Sequence, residues 1–280
     1  MDGFLAARLQ MAVSLGFHII FACIGMVMPW FMFVAEWKWL KTGKEVYLDL
    51  AKAWAKGVAI FFAVGAVSGT VLSFELGMLW PTFMEHAGPI FGLPFSWEGT
   101  AFFVEAIALG LWLYGWGRLN KKVHLYIGLI VGIAGVMSGV FVISANAWMN
   151  SPAGFDWVNG QAENIDPVAA MFNKAWFHQT HHMIIAAFSA TGFAVAGVHA
   201  LLYLKNRLDI HKRALTIAMA FASVAAIIQP LSGDHAAKKV ADLQPAKLAA
   251  FESLFETQES APLIIGGVPD VETREVKYAI

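Results

Sequence analysis

The 280 residues hold a single cysteine, Cys23, so no disulfide can close within the chain. Charge is equally scarce. Asp, Glu, Lys and Arg make up 14% of the residues, against roughly 25% in soluble domains. The net charge is −1, which leaves no basic field to draw in a phosphate backbone and excludes nucleic acid as a partner. Phosphate loops, nucleophile elbows, paired-cysteine metal motifs and G-x-G-x-x-G fingerprints are all missing. Apolar residues fill the chain instead: 58% of it, with 11 Trp, 22 Phe and a mean hydropathy of +0.61. Rings in such number suit the two interfaces of a bilayer. The composition is that of a polytopic membrane protein.

A membrane span needs about 20 mostly apolar residues. Six stretches qualify, near 15–37, 57–80, 96–117, 124–148, 181–204 and 214–231. They predict an all-α bundle of about six transmembrane helices over 1–231, the first of them a span and not a cleaved leader. Spans one, two and five are expected to run without a proline break. Residues 232–280 are polar, and Gln244-Pro245 marks a helix start within them. No internal repeat is legible.

Lys38, Lys41, Lys44, Lys52 and Lys56 follow the first span, Arg118, Lys121 and Lys122 the third, and Lys205, Arg207, Lys212 and Arg213 the fifth. The stretch from Trp80 to Ser96 has no Lys or Arg, and that from Met149 to Phe177 only Lys174. By the positive-inside rule the basic loops are cytoplasmic, and the N-terminus and the 232–280 tail extracytoplasmic.

Ionisable side chains within spans are costly and by default mark function. His18 stands in the first span, where an imidazole could ligate haem iron or simply bond a neighbouring helix. His178, His181 and His182 open the fifth span, spaced to share one helical face. They could form a polar cap, a zinc site or a haem site, and only His182 surely lies at membrane depth. Glu98 and Glu105 open the third span. Seven residues bring them close to two full turns, so they share a face about 10 Å apart and suit a proton relay. Glu75 has no evident role. Gly128, Gly132, Gly135 and Gly139 in span four suit close helix packing.

Arg8-Leu9-Gln10 with His18, Phe74-Glu75-Leu76-Gly77, Glu98-Gly99, Phe102-Phe103-Val104-Glu105, Gly115-Trp116-Gly117-Arg118-Leu119, Asn146-Ala147-Trp148-Met149-Asn150, His182-Met183 and Lys247-Leu248-Ala249-Ala250-Phe251-Glu252 occur in that order. This collinear series resembles subunit I of the cytochrome bd-type quinol oxidases. The resemblance implies an enzyme of a prokaryotic cytoplasmic membrane that oxidises quinol outside and reduces O₂ to water. Its implied cofactors are a low-spin haem b, a high-spin haem b and a haem d, or a b-type haem in place of the last.

Residue by residue, the resemblance makes His18 the axial ligand in the oxygen-reducing site and His182 one ligand of the low-spin haem b. Glu98 and Glu105 become proton-path carboxylates, and Lys247 and Glu252 the quinol-contacting pair. The family's Met opposite His182, its high-spin haem glutamate and its Gly-Arg-Gln-Pro-Trp segment are expected on a further chain, a second-half subunit I chain or subunit II. Small single-span subunits and lipid would accompany it. The competing classes are a non-oxidase b-type cytochrome and a transporter, the latter favoured by broken helices.

Overall fold

In the computed structural model, residues 2–262, 264 and 266–280 are described. Six long helices dominate: α1 (Gly3–Thr42), α2 (Glu45–Leu79), α3 (Pro81–Tyr114), α4 (Lys121–Asn150), α6 (Trp176–Asn206) and α7 (Asp209–Leu243). Between α4 and α6 lie a small hairpin, β1 (Asp156–Val158) with β2 (Gln161–Glu163), and the one-turn α5 (Pro167–Met171). After α7 come α8 (Pro245–Phe251) and a second hairpin, β3 (Val268–Asp270) with β4 (Glu275–Lys277). In that hairpin the Lys277 ammonium, 2.6 Å from Asp270, holds the Asp270 carboxyl below its usual range. The all-α membrane architecture expected from the apolar runs is the one found.

Five of the six long helices are long and apolar enough to cross a membrane on their own, and α3 is the exception. It is the helix that carries both Glu98 and Glu105, the proton-path candidates. It also starts at Pro81, well before the apolar run at 96, and continues through Pro89 and Pro94. Helix α7 likewise runs on past Leu231 to Leu243, and α8 begins at Pro245, where the Gln-Pro start signal stands.

The expectation of an unbroken first span needs correction. Pro29 lies inside α1, yet the helix is continuous from Gly3 to Thr42. Proline forfeits one backbone hydrogen bond and crowds the carbonyl four residues back, here that of Gly25. Both residues are buried among neighbouring helices, where such a defect is tolerated.

The helices pack as consecutive hairpins: α1 on α2, α3 on α4, and α6 on α7, with α4 and α6 both against α1. The core is a seam of Val27, Phe31, Met32, Leu50, Trp112, Val131, Ala187 and Ala218. The glycines of α4 make room for large side chains of neighbouring helices. A Cβ at Gly128 would meet Trp112 at 2.8 Å, and one at Gly132 would meet Trp30 at 3.0 Å. The short links 43–44, 115–120 and 207–208 lie at one end of the bundle, the end rich in Lys and Arg. Lys121 sits 4.8 Å over the Trp39 ring there, and Lys52 sits 5.7 Å over Trp116. Cation and ring reinforce one another at such a boundary.

Candidate functional site

Two histidines are held in the same way by different hairpins. On α1, His18 Nδ1 lies 2.9 Å from Ser68 Oγ of α2. On α6, His182 Nδ1 lies 3.1 Å from Ser232 Oγ of α7. In each case the residue after the serine is a glycine beside the ring: a Cβ would meet His18 Cε1 at 3.1 Å from Gly69, and His182 Cε1 at 3.7 Å from Gly233.

Beside His18 an apolar groove of about 600 Å³ opens between α1 and α2, lined by Val13, Phe17, Val64, Val67 and Val71 among others. A haem needs one imidazole nitrogen and a flat apolar wall, and His18 with this groove fits it. His182 fits as well, with one adjustment. The Gln229 amide nitrogen lies 3.2 Å from His182 Nε2 and 3.3 Å from Nδ1, while Gln229 Oε1 is buried without a partner. Gln229 has to turn aside for a metal to take Nε2. One turn inward, Ile184, Phe188, Phe221, Val224 and Ile228 line an apolar groove of about 390 Å³.

The other two histidines of that cluster are placed differently. His181 Nδ1–H donates to the Phe177 carbonyl at 2.6 Å, and its ring stacks on His235. His178 is buried, with Nδ1 unpartnered. Among the described residues no three His, Cys, Asp or Glu side chains are placed to hold a metal ion. A zinc site at 178, 181 and 182 therefore has no support.

Glu105 is buried where α1, α3 and α4 meet; a Cβ on Gly135 would lie 3.3 Å from its Oε1 and 3.2 Å from Met26 Cα. Glu98, half-buried, accepts a hydrogen bond from Ser138 of α4 at 3.2 Å. Glu75, buried near the N-terminal half of α1, accepts from Gln10 at 3.1 Å and Ser14 at 2.8 Å. These bonds, both to Oε1, join α2 to α1, while Glu75 Oε2 is buried without a partner among the described residues. Lys247 Nζ donates to Asn150 Oδ1 at 2.8 Å, and Gln244 donates to the Asn150 carbonyl, so α8 is docked on the end of α4. Glu252 caps α8 and is half-buried. No hydrogen bond or ion pair joins it to Lys247 among the described residues.

One buried polar cluster has no counterpart in the sequence reading. Glu36 accepts from Trp112 Nε1 at 2.9 Å and from His124 Nδ1 at 2.7 Å, while His124 Nε2 lies 2.9 Å from the Trp112 carbonyl. It ties α1 to α3 and α4. Glu36 stands at the head of a lysine-rich stretch, and His124 lies in the first turn of α4, so neither position draws attention along the chain. The Ser-Gly pairs at 68–69 and 232–233 are equally inconspicuous in sequence, although each follows its histidine by the same 50 residues.

The cytochrome bd terminal oxidase subunit I profile matches residues 6–280. The chain belongs to that family. It is 34% identical to a cytochrome bd ubiquinol oxidase subunit 1 of Bacillus subtilis over 91% of this chain and 55% of the relative. Against a cytochrome bd-II ubiquinol oxidase subunit 1 of Escherichia coli the figures are 29%, 98% and 54%. The structure of bd oxidase from Geobacillus thermodenitrificans superposes with a TM-score of 0.94 at 40% identity, over all of this chain and 65% of that one. This member of the family thus spans about half the length of the curated relatives it matches.

Proposed function

We propose that the chain is the haem-binding part of a membrane quinol:O₂ oxidoreductase. The observation that carries this reading is the pair of His18 and His182, each within a span and each held at Nδ1 by a serine, in a chain of this family. Bound haem iron supplies one-electron chemistry. The protein's own side chains bind, orient and handle protons. His18 would hold the haem of the oxygen-reducing site, a haem d or a b-type haem, and His182 the low-spin haem b.

Glu98 and Glu105, about two turns apart along α3 and facing α4, would pass protons toward the oxygen-reducing site. Lys247 and Glu252 would bind the quinol head group, Glu252 accepting a proton as quinol is oxidised. Residues 1–231 are then the haem-binding membrane domain and 232–280 the extracytoplasmic quinol region. The basic end of the bundle is assigned to the cytoplasm of a bacterium or archaeon. Further polypeptide, packed on α6 and α7, would supply the second axial ligand opposite His182 and the ligand of the high-spin haem b. Subunit II, small single-span subunits and lipid would complete the complex.

A visible spectrum of the complex purified in mild detergent tests this. Bands of b-type haem together with quinol-dependent O₂ uptake are expected. Haem bands without O₂ uptake would make the protein an electron-transfer cytochrome, and a haem-free complex would sink the reading.

A further inference from the structure

The two histidine stations coincide in register. His18 precedes the end of α1 at Thr42 by the same 24 residues that separate His182 from the end of α6 at Asn206. Two-residue links follow, 43–44 and 207–208. Ser68 then lies 23 residues after the start of α2 at Glu45, as Ser232 does after the start of α7 at Asp209. Even the helix ends agree: Gly43 N–H donates to the Trp39 carbonyl and Arg207 N–H to the Tyr203 carbonyl, both residues being left-handed. An offset of 164 maps one hairpin onto the other, and among polar residues it keeps the histidine, the serine and the lysine at 41 and 205.

The hydrogen-bond bookkeeping at Ser68 gives the serine its role. A hydroxyl has one proton. Ser68 directs its own toward the carbonyls of Val64 at 2.9 Å and Gly65 at 3.1 Å on the same helix. Toward His18 the oxygen can therefore only accept, so the proton of the neutral ring is on Nδ1 and the Nε2 lone pair is free for a metal. A hydrogen bond from the non-ligating nitrogen fixes the tautomer and raises the basicity of the ligand. We infer that Ser68 and Ser232 are paired positioning residues, each accepting from Nδ1–H of its histidine so that Nε2 is presented to haem iron. This rests on the haem reading above. Gly69 leaves the space that lets the His18 ring reach its serine, whereas at Gly233 a Cβ would make only ordinary contact with His182.

Among the described residues Ser232 directs no proton to a carbonyl, so its accepting role is inferred from its matched position, and it requires Gln229 to turn its amide. Gln229 Oε1, buried and unpartnered, then becomes a second acceptor beside Nδ1–H. The second station is thereby doubly provided by side chains, whereas at the first the only other acceptor near the ring is the fixed backbone carbonyl of Gly65.

The test uses the intact complex carrying Ser68→Ala, Ser68→Thr, Ser232→Ala or Ser232→Thr. Its readouts are haem content after detergent washing and the midpoint potential of each haem by spectroelectrochemistry. Loss of the acceptor makes the imidazole less basic and the ferric state less favoured. Ser68→Ala is expected to raise the potential of the His18-associated haem and weaken its retention about 10- to 100-fold. Ser232→Ala should shift the other haem in the same direction by less, because Gln229 substitutes. Both threonine variants should behave as wild type.

Gly69→Ala provides a check that leaves both hydroxyls in place. Its Cβ would crowd His18 at 3.1 Å, whereas one at Gly233 meets His182 at an ordinary 3.7 Å. Only the former should disturb a haem. Unchanged potentials and retention in both alanine variants would overturn the inference while leaving the haem reading intact. A wild-type complex without haem would overturn both.

Discussion

The α1–α2 and α6–α7 hairpins share one plan and differ in what surrounds it. In the first, the wall beyond His18 is apolar, with Val13, Phe17 and Val71 facing the groove. The offset places Phe177, His181 and His235 at those positions in the second, and His178 where the first has Ser14. The first hairpin is also anchored at its lysine-rich end by Glu36, buried against His124 and Trp112, where the second has Ala200. The lesson is that the ligand station and its setting are separable. Two short pieces, a histidine and a Ser-Gly pair, carry the station, and the flanking side chains decide whether it faces a dry groove or a polar mouth.

The comparison breaks most visibly if either histidine is removed. His182→Ala should abolish the low-spin haem b signal, since six-coordinate iron needs both axial ligands. His18→Ala should abolish the other site and spare that signal. His178→Ala and His181→Ala should leave both spectra in place. Spectra of the four variants, inserted at wild-type levels, check this.

The Glu36 anchor offers a sharper contrast. Glu36 is the acceptor for two buried groups, Trp112 Nε1 and His124 Nδ1, and leaving a buried polar group without its partner costs about 1–3 kcal/mol. Glu36→Gln should therefore loosen the first hairpin. On heating, the His18-associated haem should be lost before the His182-associated one, whereas Ala200→Gly should not favour either.

Only the second hairpin leads into α8. Substituting Lys247 or Glu252 should lower quinol-dependent O₂ uptake at least about tenfold, a barrier change of about 1.4 kcal/mol, with both haem spectra unchanged. Loss of haem would instead make α8 a structural clasp through Asn150.

The smallest difference is at the links. Gly43 and Arg207 occupy the same left-handed position, with φ of 68° and 56°. Glycine adopts that conformation without strain, and arginine does not. Arg207→Gly should stabilise the second hairpin by about 1 kcal/mol and Gly43→Ala should destabilise the first by a similar amount. Thermal unfolding of the purified complex measures both.

Much of this molecule was legible before folding. Lipid forbids unpaired polar groups, so the helices stand out as apolar runs, and His18, His182, Glu98 and Glu105 stand out as exceptions within them. Pro245 announced α8 because proline fits a first turn. The sequence by itself therefore determined the class, the long helices and the candidate ligands and carboxylates. Only tertiary structure decided how each is held. A serine in an apolar helix looks ordinary, because it can satisfy itself on its own backbone, as Ser68 does. Its meaning comes from His18, 50 residues away, brought within 2.9 Å when α1 and α2 pack. Glu36 read as one more charge at a lysine-rich boundary until α3 and α4 closed over it with His124, 88 residues distant. Pattern along a chain reports what the solvent demands of each residue, whereas which polar groups satisfy one another is set by the register in which the helices meet.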